Sequence, residues 1–253
     1  MAEPHPLFDL TGKVALITGG SRGLGREMAL AFADAGADVI VSSRKAEACE
    51  AVVAEVQAKG RRAAAIPAHA GKWDEMDRLA DAAWETFGRL DILVANAGMG
   101  PLVPSHEVSE ALFDSVVGLN FKGPFRLMAN VAHRMAQPES NGGEGGAILA
   151  TSSIASLRPT PMVVPYAGAK AALNAMVSSM AREYGPKVRV NAIAAGPFLT
   201  DISKAWTDEA REKTDSASGR PGRPEEIVTS ALYLASPASS FVTGTVIRCD
   251  GGC

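Results

Sequence analysis

The sequence predicts an α/β fold in which a parallel sheet is doubly wound, with helices on both faces. Two observations carry this reading. Short apolar runs ending in small residues alternate with longer runs of helical periodicity along almost the whole chain. The first apolar run also leads into a glycine-rich turn, Thr18-Gly19-Gly20-Ser21-Arg22-Gly23-Leu24-Gly25, with a helical run behind it. At 253 residues, 47% hydrophobic and 21% charged, the chain is long enough for one large domain and short for two.

Lys13 to Thr18 reads as a buried parallel strand closed by glycine. Leu24, Met28, Ala31, Phe32 and Ala35 then fall on one face of a helix that Gly36 ends. Strand, glycine turn and helix make a phosphate site. The glycines let a pyrophosphate approach the backbone, and the first N–H groups of the helix face the anion. A P-loop is disfavoured, because it needs Lys-Ser/Thr after the last glycine, where Arg26-Glu27 stands. Asp38 to Ser42 is the second strand. An NAD site places Asp or Glu at the carboxyl end of this strand, to hold the ribose 2′-hydroxyl. Here the end reads Ser42-Ser43-Arg44-Lys45. Asp38 lies at the opposite end, about 16 Å from Ser43 at roughly 3.3 Å per residue. Arg44, helped by Arg22, suits a 2′-phosphate, so the cofactor expected is NADP (NADPH) rather than NAD.

The alternation continues with a helix at 46–59, a strand at 62–67, a helix at 72–87 and a strand at 91–94. That strand runs into Ala95-Asn96-Ala97-Gly98, small residues at another carboxyl edge, where a cofactor can touch the backbone. Residues 109–136 read as helix and hold Asn120 among apolar neighbours, where a buried amide needs a carbonyl or a water as partner. Residues 137–146 read as a mobile surface turn. The apolar run Ala147-Ile148-Leu149-Ala150 leads to Ser153, whose hydroxyl could orient a substrate oxygen.

Tyr166 to Tyr184 reads as a helix with Pro165 in its first turn. Tyr166 and Lys170, at i and i+4, share a face. A lysine cation within about 4–6 Å favours a phenolate, and the spacing therefore predicts a phenol acidified towards the working range of a general base. A Tyr and a Lys on a solvated helix would give the same pattern. Val188 to Ala194 is a sixth strand, and 225–235 and 245–249 are the last helix and strand. Between them, 196–222 opens on Gly196-Pro197 and closes on Gly219-Arg220-Pro221-Gly222, a pattern that predicts a lid over a substrate.

A formal charge of −3 gives no reason to expect nucleic acid or an acidic membrane surface. No apolar run approaches the 18 or so residues needed to span a bilayer. Met1 to Leu10 lacks the apolar core of a signal peptide. Cys49, Cys249 and Cys253 fit neither a disulfide framework nor a zinc site and read as reduced thiols of a cytoplasmic protein.

Taken in order, these signals resemble the short-chain dehydrogenases/reductases, in their single-domain branch of about 250 residues, near the 3-oxoacyl-carrier-protein reductases and gluconate 5-dehydrogenases. Thr18-Gly19-x-x-x-Gly23-x-Gly25 and Asn96-Ala97-Gly98 match the family's nucleotide motifs. Asn120, Ser153, Tyr166 and Lys170 match its catalytic tetrad, including the step of thirteen residues from Ser153 to Tyr166. The resemblance implies a Rossmann-type sheet of seven strands. It implies proton exchange by Tyr166, polarisation of the substrate carbonyl by Ser153, a grip on the nicotinamide ribose by Lys170, and a relay water on Asn120. It implies that Thr200, four residues past Gly196, contacts the nicotinamide carboxamide, and that hydride passes without a metal. His69-Ala70 stand where the family commonly has Asp-Val against the adenine. A structural histidine is the simpler reading of His69. Ala195 replaces a usual proline, and Pro197 follows Gly196, so the hinge of the lid differs.

The function expected is hydride transfer between NADP(H) and a carbonyl or secondary alcohol. Enoyl reduction is disfavoured by the Tyr–Lys spacing. An NAD(P)-sensing protein without catalysis is the alternative, disfavoured because both residues remain. Met99, Arg158, Met162, Val163, Phe198 and Trp206 are expected near the substrate, without choosing between a polyol and an acyl chain. Gly118, Gly123, Ala171, Ala172 and Ala175 would allow helices of two subunits to meet, in the homotetramer common in the family.

Overall fold

The computed structural model describes residues 5–201, 203 and 206–253. Seven strands form one parallel sheet in the order β3-β2-β1-β4-β5-β6-β7. They are β1 (Val14–Thr18), β2 (Asp38–Ser42), β3 (Ala63–Ala65), β4 (Ile92–Ala95), β5 (Gly146–Ser153), β6 (Val188–Ala195) and β7 (Val246–Cys249). The first, second, fourth, fifth and sixth are buried along nearly their whole length, as continuous apolar runs covered on both faces must be. One core layer lies under α3 (Trp73–Phe87), α5 (Gly123–Met135) and α6 (Val164–Tyr184), the other under α1 (Gly23–Asp34), α2 (Ala46–Ala58) and α8 (Val228–Ala235).

From β1 the chain winds outward to β2 and β3, then returns to place β4 on the other side of β1. This reversal opens a crevice at the carboxyl ends of β1 and β4, where ligands of such sheets bind. Asp38, at the opposite end, pairs with Arg62 and is remote from that crevice.

The expected helix over 109–136 is broken in its middle. α4 (Glu110–Val117) and α5 are joined by a π turn, Gly118–Lys122, centred on Asn120. Gly123 and Gly118 face inward, contrary to their expected place at a subunit contact. A Cβ on Gly123 would overlap the Ala70 carbonyl oxygen, and one on Gly118 would stand 3.4 Å from that of Gly71. Ala171 and Ala175 are exposed. With Phe121, Phe125, Met176 and Met180, Ala175 lines an open groove of about 470 Å³.

The 137–146 segment is pegged rather than loose. Asn141 is buried, donates from Nδ2 to the carbonyls of Leu90 and Gly145, and accepts from the Leu90 N–H. In the expected lid, the two ends close on each other: Leu199 N–H donates to Gly222 C=O and Gly222 N–H to Pro197 C=O, each at 2.8 Å. A short helix, α7 (Asp208–Glu212), lies between them. Ser218 N–H donates to Gly251 C=O, tying this segment to the chain beyond β7. Residues 202, 204 and 205 of the lid, and 1–4 of the N-terminal stretch, lie outside the described residues.

Candidate active site

The crevice is built on the carboxyl ends of β1, β4 and β5. Thr18 ends β1, and its Oγ1 accepts the N–H groups of Asn96 and Ala97. The Asn96 amide donates back to the carbonyls of Thr18 and Gly19 and accepts from Thr151 on β5. Asn96 therefore clips three strand ends together. The glycines around it are there for space. A Cβ on Gly25 would overlap the Gly19 carbonyl oxygen, and Gly19 adopts a positive φ of 63°. No side chain caps the first turn of α1, so its N–H groups are available to an anion. Gly23 and Thr200 face each other across the opening.

At the far end of β2, Ser43 hydrogen-bonds Cys49, and the segment Ser42-Ser43-Arg44-Lys45 carries no carboxylate. Arg44 is exposed, with no ion pair among the described residues. Arg22 instead reaches Asp201, at 2.8 Å. His69 is half-buried and closes a turn: its Nδ1 accepts Gly71 N–H, and its own N–H donates to Glu75. These residues fit the phosphates and ribose of a dinucleotide: free N–H groups, two guanidinium groups and a serine at one carboxyl edge.

The tetrad residues converge on the same edge. Tyr166 lies in the first turn of α6, where Pro165 costs no hydrogen bond. Its hydroxyl is within hydrogen-bonding reach of Ser153, the last residue of β5. Lys170, one turn on, is 3% exposed and donates from Nζ to Thr151 C=O at 2.7 Å. Asn120 is fully buried. It donates to the carbonyls of Val116 and Met99 and accepts Met99 N–H, so the π turn satisfies the amide and points it at the crevice. Gly98 separates Asn120 from Lys170. A Cβ there would stand 2.8 Å from Asn120 Oδ1 and 3.5 Å from Lys170 Nζ.

The electrostatics differ from the sequence expectation. Burial pushes the Tyr166 phenol above its ordinary value, opposed only by the Ser153 hydrogen bond. Burial also pulls the Lys170 ammonium down to about 8. The Nζ lies 5.8 Å from the centre of the Tyr166 ring and donates to Thr151, and burial outweighs its pull on the phenol. Burial shifts both groups towards their neutral forms, though at about 8 the ammonium still keeps its proton at pH 7.

An apolar wall stands beside the Tyr166 ring, formed by Pro101, Val103, Leu112, Val116, Met162 and Pro165. Only Met162 of the six residues expected near the substrate belongs to it. Phe198 is buried in the opposite core layer against Gly222, Val163 is buried and Arg158 is exposed. Sequence reasoning missed Thr151, which bonds Asn96 and holds Lys170. Its signal was a hydroxyl near the carboxyl end of the apolar strand β5, separated from β1 only by β4.

A family model described as short chain dehydrogenase matches residues 13–211. The chain belongs to the short-chain dehydrogenase family. This dehydrogenase is 40% identical over 247 residues to the 7α-hydroxysteroid dehydrogenase of Escherichia coli K12, a match spanning 96% of this chain and 94% of that protein. A solved structure of 7α-hydroxysteroid dehydrogenase complexed with NADH and 7-oxo glycochenodeoxycholic acid has a TM-score of 0.91 and 37% identity, covering 98% of this chain and 96% of that one. The 3-oxoacyl (acyl-carrier-protein) reductase of Agrobacterium tumefaciens C58, with NADP bound, has a TM-score of 0.88 and 32% identity, covering 98% and 96%. The dehydrogenase is accordingly an NAD(P)-dependent oxidoreductase of alcohol and carbonyl groups. Among its described residues, no helix is long and apolar enough to cross a membrane.

Proposed function

We propose that this protein is an NADP(H)-dependent carbonyl reductase, also competent in the reverse oxidation of a secondary alcohol. One observation carries the reading: Tyr166, Ser153, Lys170 and Asn120 meet at a single carboxyl edge of the sheet, beside the uncapped start of α1. When bound, the nicotinamide supplies or accepts the hydride. The protein's own residues handle the proton and the geometry. Tyr166, kept protonated by burial, donates its phenolic proton to the carbonyl oxygen as charge develops there. Ser153 hydrogen-bonds the same oxygen and fixes its direction. Lys170 would bind the nicotinamide ribose hydroxyls, and Asn120 would hold a water through which the tyrosine regains its proton.

Gly19, Ser21, Gly23, Leu24 and Gly25 would surround the pyrophosphate, Asn96, Ala97 and Gly98 would offer backbone to the cofactor, and Gly196 and Thr200 would border the nicotinamide. His69 and Ala70 would border the adenine. Relatives include one bound to NADH and one bound to NADP. Ser43-Arg44 and the missing carboxylate favour NADP here. The apolar wall beside Tyr166 favours a ketone with an apolar body over a sugar. Each sugar hydroxyl pressed against that wall would lose water without replacement, at about 1–3 kcal/mol. The exposed Ala171 and Ala175 on α6 support a homotetramer, and the three free thiols a cytoplasmic location.

Fluorescence titration should give tighter binding of NADPH than of NADH; equal affinities would overturn the cofactor assignment. Tyr166→Phe should lower turnover of cyclic ketones by about 10²–10⁴ while retaining NADPH binding, and unchanged turnover would overturn the role of the phenol. Wild-type protein that binds NADPH but turns over no ketone would favour the sensing alternative.

A further inference from the structure

Tyr166 and Lys170 are the first two members of a longer stripe. Asn174, a further four residues along α6, occupies the same face at i+8. All three touch consecutive residues of β5 and the turn after it. Lys170 holds the Thr151 carbonyl. Asn174 holds Ser152 and Ser156, and Ser156 holds the Ser153 carbonyl.

The direction of each bond can be assigned. Ser156 has one proton, and its 2.6 Å contact with Ser153 C=O commits that proton, since a carbonyl can only accept. Ser156 Oγ must then accept from Asn174, at 2.8 Å, which turns the amide NH₂ towards Ser156. The amide oxygen is left for Ser152, whose O–H donates to it at 2.6 Å. The longer 3.3 Å approach between Ser152 and Ser156 carries no proton, because both are spent. A single ordered chain results: Ser152 O–H to Asn174 Oδ1, Asn174 Nδ2–H to Ser156 Oγ, Ser156 O–H to Ser153 C=O. Ser152 and Ser153 are buried, and chains of this kind strengthen each bond through its neighbours.

We propose that Asn174, acting through Ser156, is a positioning residue that sets where the Ser153 hydroxyl stands relative to Tyr166. The proposal rests on the roles given above to Ser153 and Tyr166. The chain fixes the backbone of Ser153 from its carbonyl side. The Ser153 side chain is steadied by Ala155 N–H, which donates to its Oγ at 3.2 Å. The hydroxyl is thereby aimed from two sides, its own proton turned to the Tyr166 oxygen or to a substrate oxygen that takes its place. Replacing the amide by a carboxylate keeps its shape but reverses one bond: Asp at 174 can only accept, so it takes the Ser156 proton and releases Ser153.

The test compares Ser156→Ala, Ser156→Thr, Asn174→Asp and Tyr166→Phe in the full-length protein. Ser156→Ala and Asn174→Asp should lower kcat about ten- to hundredfold, with KM and NADPH affinity within about twofold of wild type. The added negative charge in Asn174→Asp should also move the limb of the kcat–pH profile that reports the phenol to higher pH. Ser156→Thr, which keeps the hydroxyl, should restore most of the turnover. Wild-type kcat in Ser156→Ala beside a lowered Tm would reduce the chain to a structural tie and overturn the proposal. So would a loss in Ser156→Ala that Ser156→Thr does not recover, or a change confined to KM. Full turnover in Tyr166→Phe would instead strike at the underlying assignment of the phenol.

Discussion

Arg22, in the glycine-rich turn, forms an ion pair with Asp201, on the segment after β6, at 2.8 Å. The two side chains reach across the opening where Gly23 faces Thr200. An arginine held this way has two competing partners once a 2′-phosphate is offered, and it cannot satisfy both in full. Under the proposed NADP preference, Asp201 would act as a counterweight to cofactor selection.

Asp201→Asn should therefore tighten NADPH about two- to fivefold and leave NADH nearly unchanged, the small size following from a pair whose arginine is 68% exposed. Calorimetric titration with both nucleotides checks this. An equal gain for NADH would mean that Asp201 merely repels the shared pyrophosphate.

Lys170 makes stability depend on pH in an unusual direction. Its ammonium loses its proton at about 8 in the folded protein, against 10.5 ordinarily, and burial is the cause. Between these values the unfolded chain binds more protons, so this contribution rises with pH. It is complete above 10.5 and lost as pH falls through about 8. The full step is worth up to about 3 kcal/mol. The Tyr166 phenol, raised by burial, opposes it only above about pH 10. Urea midpoints from pH 7 to 10 should show Lys170→Met with a relative advantage at pH 7 that shrinks steadily. Parallel curves would contradict the assignment.

Two glycines should answer oppositely to alanine. Gly25→Ala places a methyl onto the Gly19 carbonyl oxygen and 2.6 Å from Asn96 Nδ2. It should cost about 1–3 kcal/mol and abolish nucleotide binding, since Asn96 ties the strand ends together. Gly168 lies within α6 with nothing inside 4 Å of an added Cβ. Gly168→Ala should stabilise by about 0.5–1 kcal/mol. Thermal unfolding of both variants decides.

Much of the scaffold was legible because buried parallel strands are written as unbroken apolar runs. β2 was read to the residue, and β1, β4 and β6 to within one at each end. β3 was overread, since Ala63–Ala65 is a half-buried edge strand that apolar flanks extend on paper. Asn120 was recognised as needing a partner, yet the π turn that supplies Met99 as well as Val116 depends on a loop distant in sequence. The Tyr166–Lys170 adjacency was correct and its electrostatic consequence was not. A helix face reveals who stands beside whom, whereas the dryness that governs both protons comes from the whole fold. Phe198 was expected near the substrate, but it packs against Gly222 in the other core.

The wide turn at Gly118–Lys122 has a consequence for how this chain can change length. It works as a phase shift between α4 and α5, each regular alone and out of step by one residue. Deleting Leu119 would let the two merge into one smoother cylinder, and would rotate Asn120 by about 100° out of the crevice. The shortened protein should be the better helix and the worse oxidoreductase.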